Sequence, residues 1–304
     1  MTNGVGDDDT APVMAQRRPV VVGVDASAHG RLALTWAVEE AVRRHRPLHL
    51  LHAGARVPAT DSGSQSGSDS RSDSAVSLSP LLAQAAARAR DLAPDLEVTA
   101  ELSEDSASAA LLAASTSAFS VVVGSRGRGA LVGAVLGTTS AAVAAGAACP
   151  VVVVRRPARV EPERPRVVVG VDGSELSTAA VGYAFAQAAL RGVPLTVVHA
   201  CPARGGGGYV PPWRSDDPAA TVASEHAATA EEVAGWSTEY PDVRVRRHVL
   251  RADPVNALVD HSRGAELLVV GSRGFGGVSG RLVGSVSQGV LSRAHCPVAV
   301  VRAH

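Results

Sequence analysis

At 304 residues the chain has room for two domains of about 150 residues, each large enough to bury its own core. Hydrophobic residues make up 46% and charged residues 19%, a balance that excludes a disordered chain and fits a folded, soluble one. Basic and acidic side chains match at 29 each, so net charge supplies no reason to expect nucleic acid or an anionic membrane as partner.

Residues 1–18 carry Asp7-Asp8-Asp9 and no apolar core, which reads as a flexible leader rather than a signal peptide. Pro19 to Val24 is a Val-rich run that predicts a buried strand closing on the turn Asp25-Ala26-Ser27. Ser27 is placed to cap a helix over Arg31–His45, whose Leu34, Ala37, Val38 and Ala41 share one face. A second strand follows over Leu48–Ala53. Gly54–Ser77, mostly Ser, Gly and Asp, predicts a disordered insertion. Next come a helix over Leu78–Ala93, a strand over Glu97–Leu102 and a helix over Ser106–Ser117. The half closes with a strand over Phe119–Gly124, a helix over Gly137–Ala148 and a strand over Val151–Arg155. Arg156–Pro165, with three prolines among charges, predicts a linker.

From Arg166 to Arg302 the same order repeats, and the register is constant. Asp25 and Asp172, His52 and His199, and Cys149 and Cys296 all differ by 147. Such a shared register marks a duplicated domain, with one copy over 19–155 and the other over 166–304. Alternating strands and helices of these lengths predict right-handed crossovers. The continuous Val runs predict strands covered on both faces, hence a doubly wound, five-stranded parallel sheet in each half. The place of the insertion is taken in the second half by Pro202–Pro218, which holds Tyr209-Val210-Pro211-Pro212-Trp213. The plain reading is a surface loop; the sharper one is a lid, with Tyr209 or Trp213 packing over a ligand. No apolar run is long enough to span a bilayer, and a cytoplasmic protein is expected.

The chemistry concentrates at strand ends. Gly124-Ser125-Arg126-Gly127 is followed after nine residues by Gly137-Thr138, and Gly271-Ser272-Arg273-Gly274 after nine by Gly284-Ser285. A glycine-rich turn between an apolar strand and a helix lets backbone N–H groups approach an anion, with a hydroxyl added at the helix N-terminus. Its ligand-free alternative is a tight strand-to-helix connection. Asp25 and Asp172 end the first strand of each half, where a doubly wound sheet reverses its winding and binds ligands. A carboxylate repels phosphate, so each is expected at the base or ribose end of a nucleotide, or as a cap for the following helix. Ala53 and Ala200 end the second strands, small enough for a flat base to approach the backbone. His52 and His199 beside them have no second ligand or nucleophile in sequence and read as satisfied, half-buried side chains. Cys149, Cys201 and Cys296 are too few and too scattered for a disulfide framework or a zinc site; those at 149 and 296 read as packing.

Val-Gly-Val-Asp-Gly-Ser at 169–174, Val-Val-His-Ala at 197–200 and Gly-x-x-Gly-x9-Gly-Ser/Thr in both halves closely resemble the universal stress protein family, in its tandem, two-domain actinobacterial form. The resemblance covers the chain outside the leader, linker and two insertions. It implies a flavodoxin-like (adenine nucleotide α-hydrolase-like) fold and, given the glycine pattern, ATP at up to two sites per chain, with Mg2+ as an open addition. Carried over by residue, it places phosphate contacts on Gly124, Gly127, Gly137 and Thr138, with Arg126 and Thr139 beside them. In the second half these are Gly271, Gly274, Gly284 and Ser285, with Arg273 and Val286 beside them. Base or ribose contacts fall on Asp25, Ala53, Asp172 and Ala200. Ala26 stands where the second half has Gly173, and Ala130 where it has Gly277, so the second site is expected to bind ATP more tightly.

Three functions follow. The leading one is an ATP-binding regulator of a stress response. The second is a slow ATPase or ATP-using enzyme, although all basic residues are arginine. That excludes a Walker-type lysine and Schiff-base chemistry, and at most weak hydrolysis is expected. The third is an assembly module without nucleotide dependence. Val151–Val154 and Val298–Val301 would be exposed apolar edges unless paired, within one chain or across a homodimer.

Overall fold

The computed structural model describes residues 17–53, 79–127, 136–155, 165–201, 218–272 and 283–302. The leader through residue 16, most of the linker and both insertions lie outside them. The first half runs β1 (Val20–Gly23), α1 (Ala28–Arg43), β2 (Leu48–Ala53), α2 (Pro80–Leu92), β3 (Val98–Ser103), α3 (Ala107–Ala114), β4 (Ser120–Gly124), α4 (Thr138–Gly146) and β5 (Val151–Val154). The second runs β6 (Val167–Val171), α5 (Glu175–Arg191), β7 (Leu195–Cys201), α6 (Pro218–Glu239), β8 (Val245–Arg251), α7 (Pro254–His261), β9 (Leu267–Gly271), α8 (Ser285–Arg293) and β10 (Val298–Val301). Every expected element is present, with shifts of a few residues at the ends. α1 opens earlier than its apolar face suggests, because the Ser27 hydroxyl accepts from Gly30 N and starts the helix at Ala28.

The expected two sheets are one. Strand order is β3-β2-β1-β4-β5-β10-β9-β6-β7-β8: two parallel halves joined by an antiparallel β5–β10 pair. The valines explain the joint. A lone edge of four valines would leave apolar side chains and unpaired backbone in water; paired, all of β5 and β10 are buried. The pairing takes place within one chain, and its register places Val152 opposite Ala299. These two positions are equivalent in the duplication, so a local two-fold axis passes between them.

Two apolar layers cover the sheet, each continuous across the joint. α1, α2, α5 and α6 pack one face through residues such as Leu34, Leu82, Phe185 and Val233. α3, α4, α7 and α8 pack the other through Leu111, Val143, Leu258 and Leu291.

Polar side chains fasten the halves where α1 meets α5. Glu40, fully buried, accepts from Arg44 Nε at 2.5 Å, Gln187 Nε2 at 2.7 Å and Arg191 Nη2 at 3.0 Å. Burial pushes its carboxyl up, but the guanidinium groups of Arg191 and Arg44, with hydrogen bonds from Arg44 and Gln187, outweigh that and hold it below the usual carboxylate range. Glu40 and Gln187 are equivalent positions, as are Arg44 and Arg191. A symmetric contact has therefore become asymmetric, with one carboxylate serving two arginines. On the opposite face, Arg155 donates to Leu291 O at the end of α8, and Arg302 donates to Ala144 O and Ala145 O at the end of α4. Each half thus places a cation on a helix C-terminus of the other, where the macrodipole favours it.

Candidate nucleotide site

In each half the chain turns one way out of the first strand and the other way out of the fourth. α1 leaves β1 toward β2 on one face, while α4 leaves β4 toward β5 on the other. The crevice beyond the carboxyl ends of β1 and β4 is the topological switch point, and the predicted residues converge on it.

Asp25 follows β1. Its Oδ1 accepts from Ser27 N at 3.0 Å and Ser27 Oγ at 2.6 Å, and Ser27 in turn caps α1. The aspartate does not cap the helix itself, as one sequence reading expects; it holds Ser27, which makes the cap. Its Oδ2 faces the glycine loop: a Cβ on Gly127 would lie 3.1 Å from it. Ser27 Oγ also reaches Arg126 O at 3.2 Å, tying the turn after β1 to the turn after β4. Ala53, half-buried, ends β2 one strand away. His52 beside it bonds Val24 O through Nδ1 at 2.7 Å, and His199 bonds Val171 O at 3.0 Å. Both histidines are satisfied by backbone.

The glycines divide by what the protein itself demands of them. A Cβ on Gly124 would lie 2.8 Å from His29 C and 2.9 Å from His29 O, so the close approach of α1 to β4 requires that glycine with or without a ligand. Gly137 has φ −72°, and its added Cβ would sit 3.5 Å from Ser125 O, an ordinary contact. Packing among the described residues does not explain the glycine at 137.

Helix ends carry a related contrast. Ser27, Ser79, Ser106 and Asp253 cap α1, α2, α3 and α7 with side-chain oxygens. α4 and α8 open on Gly137 and Gly284, and among the described residues no side chain caps either. Thr138, Thr139, Ser285 and Val286 form those first turns, whose N–H groups have no intrahelical acceptor.

Sequence reasoning missed what holds these turns in place. Ser140 Oγ donates to Gly124 O and Ser287 Oγ to Gly271 O, both at 2.6 Å. Gly137 N donates to Ser125 O and Gly284 N to Ser272 O, both at 2.8 Å. Ser140 and Ser287 recur in the same 147-residue register, three residues past each glycine, and that recurrence was the available signal. Also missed was Gly30, whose Cβ would strike Asp25 Oδ1; Ser177 takes its place in the second half.

The second crevice repeats the frame. Asp172 Oδ1 accepts from Ser174 N at 3.1 Å and Ser174 Oγ at 2.6 Å, and Ala200 ends the half-buried stretch of β7. Gly173 adopts φ +80°, whereas Ala26 keeps a negative φ, so the two turns differ in backbone as well as in side chain. Arg273, Gly274, Gly277, Ala130, Tyr209 and Trp213 lie outside the described residues. A cleft of about 670 Å3 opens between α1 and α2, lined by Asp25, Arg31, Leu81, Gln84 and Arg88 among others. It shares Asp25 with the crevice but is lined by no described residue of the glycine loop.

Other chemistry is sparse. Among the described residues no group of three His, Cys, Asp or Glu gathers to hold a metal. Burial pushes the thiols of Cys149 and Cys296 up to about 12, which fits packing rather than reactivity. Among the described residues no helix is long and apolar enough to cross a membrane.

The fold defines a duplicated α/β protein with an equivalent crevice at the switch point of each half. The model of the universal stress protein family matches residues 16–155 and 163–302, and the chain belongs to that family. A universal stress protein of Mycolicibacterium smegmatis is 36% identical over 291 residues, covering 93% of this chain and 96% of the relative. A putative universal stress protein of Pseudomonas aeruginosa shares the fold, with a TM-score of 0.60 at 18% identity over 95% of each chain. A universal stress protein from Archaeoglobus fulgidus in complex with dAMP is 27% identical over 45% of this chain and 97% of its own, with a TM-score of 0.35.

Proposed function

We propose that each half binds ATP in the crevice between its first and fourth strands, and that occupancy rather than turnover is the signal this protein delivers in a stress response. The observation that carries the reading is the pair Gly137 and Gly284. Each opens a helix that no described side chain caps, and at Gly137 the described neighbours leave room for a side chain. A phosphate at the helix N-terminus accounts for both, because it needs bare backbone and supplies the missing acceptor. Arg126 flanks the phosphate, and Arg273 has the equivalent place in sequence. Asp25 and Asp172, with Ala53 and Ala200, face the ribose and base. Any Mg2+ arrives on the triphosphate.

Weak turnover at most is part of the same reading. The chain has no lysine, both strand-end histidines bond to backbone carbonyls, and arginine does not act as a general base. Replacing Gly284 or Gly274 with Glu brings a negative charge to the second phosphate site. Each N–H bond to a charged oxygen contributes about 1.5–3 kcal/mol, so losing two weakens that site by more than about a hundredfold. Calorimetric stoichiometry should fall by one ATP per chain while the first half stays folded. Undiminished stoichiometry in both variants would overturn the assignment.

A further inference from the structure

The ten-stranded sheet ends on β3 at one side and β8 at the other, and among the described residues neither outer edge is paired. The two strands are equivalent: Leu48 pairs with Val98 as Leu195 pairs with Val245. Their charges are inverted. Glu97, Glu101 and Glu104 stand where the second half has Arg244, His248 and Arg251. Thr99 and Ala100 stand where it has Arg246 and Arg247. Residues 95–105 hold five carboxylates and no basic side chain, while 242–252 hold four arginines and one carboxylate. Glu97, Glu101, Arg244, Arg246 and Arg247 are all exposed.

We propose that the β8 edge docks the β3 edge of a second copy of this chain, head to tail. Charges on an edge strand normally prevent sheets from joining, because like edges repel. Here that holds for β3 against β3 and for β8 against β8, but the inversion leaves one pairing attractive. The geometry suits it. The halves run antiparallel, so a copy displaced along the sheet presents β3 antiparallel to β8, the sense already used at the β5–β10 joint. Backbone groups are available on both sides. Leu48 N takes Glu97 O and Leu195 N takes Arg244 O, so by the alternation of a parallel ladder Val98, Ala100 and Leu102 turn their peptide groups outward, as do Val245, Arg247 and Val249. The contact joins unlike surfaces, so it does not close and extends to short rows of copies. Exposed ion pairs are individually weak, which makes the association reversible and salt-sensitive. It uses neither crevice and is independent of nucleotide.

Sedimentation velocity of the full chain tests this, against a monomer of 30.9 kDa. At about 20 mM salt the weight-average mass should rise with concentration, and at about 500 mM, where the Debye length is only a few ångströms, it should return to the monomer. R244E/R246E places two carboxylates on the β8 edge and E97R/E101R places two arginines on the β3 edge, so each variant reverses the attraction at one edge only. Each alone should weaken association by about tenfold or more, and an equimolar mixture should restore it, with thermal unfolding confirming that both are folded. A monomer at every concentration in low salt would overturn the proposal, as would double variants that associate as well as the parent. Mass that rises only on adding duplex DNA or an acidic peptide would overturn it too, because the basic edge would then serve a different partner.

Discussion

Replacing Glu40 with Gln tests how the halves are fastened. The carboxylate is fully buried and is shared by Arg44 and Arg191, whose side chains are 14% and 3% exposed. Gln keeps the shape and removes the charge, leaving two guanidinium groups facing each other out of water. Arg191 retains Glu266 at 3.6 Å, while among the described residues Arg44 retains only the rings of Phe119 and Tyr183 at 4.6 and 5.9 Å. Breaking a buried ion pair costs about 3–5 kcal/mol, and the remaining partner of Arg191 places this change near 3. With roughly 2–4 °C lost per kcal/mol in chains of this order of size, melting should fall by about 10 °C. Urea unfolding should show a lower midpoint at unchanged slope. The pH dependence has a definite sign. The folded pKa of Glu40 lies below its ordinary 4.5, so its contribution is complete above that value and is lost as pH falls through the folded pKa. The gap between parent and variant should therefore close on acidification. A variant within about 1 kcal/mol of the parent at neutral pH, or a gap that widens in acid, would refute the reasoning.

The glycines should respond differently to alanine. Gly124→Ala drives a Cβ to 2.8 Å from the α1 backbone and should cost about 2 kcal/mol by overpacking, whereas Gly137→Ala should leave thermal stability nearly unchanged and weaken nucleotide binding in titration. Cys149 and Cys296, with thiol pKa values raised from 9.0 to about 12, should alkylate about a thousandfold more slowly in the folded protein than in urea at pH 8, as followed by mass spectrometry of the labelled peptides.

Most of the fold is legible in the sequence because it is written in local signals. Val runs mark strands buried on both faces, Ser27 marks a helix start, and the 147-residue register marks the duplication. The union of the two sheets is only half legible. Val151–Val154 announces an edge that must be covered, but no local feature says that the cover is β10 of the same chain. Glu40 and Gln187 are similarly silent, because a charged residue on a helix reads as solvent-facing until the opposing helix is known. At the crevice, Asp25 and the glycine turns follow from strand order. The different reasons for Gly124 and Gly137 do not, since one serves the packing of α1 and the other meets no close neighbour among the described residues. Ser140 and Ser287 escape because serine in the first turn of a helix has many local uses, and only the β4 and β9 carbonyls they reach distinguish them.

Two crevices in one chain are proposed to hold an adenine nucleotide by its phosphates. Isothermal titration of the intact protein with ATP tests it most directly. Binding should be saturable and approach two ATP per chain, and should be lost stepwise when Gly137 and Gly284 are replaced by Glu singly and together. Absence of saturable heat for ATP up to millimolar concentration, in protein shown to be folded and free of copurified nucleotide, would contradict it.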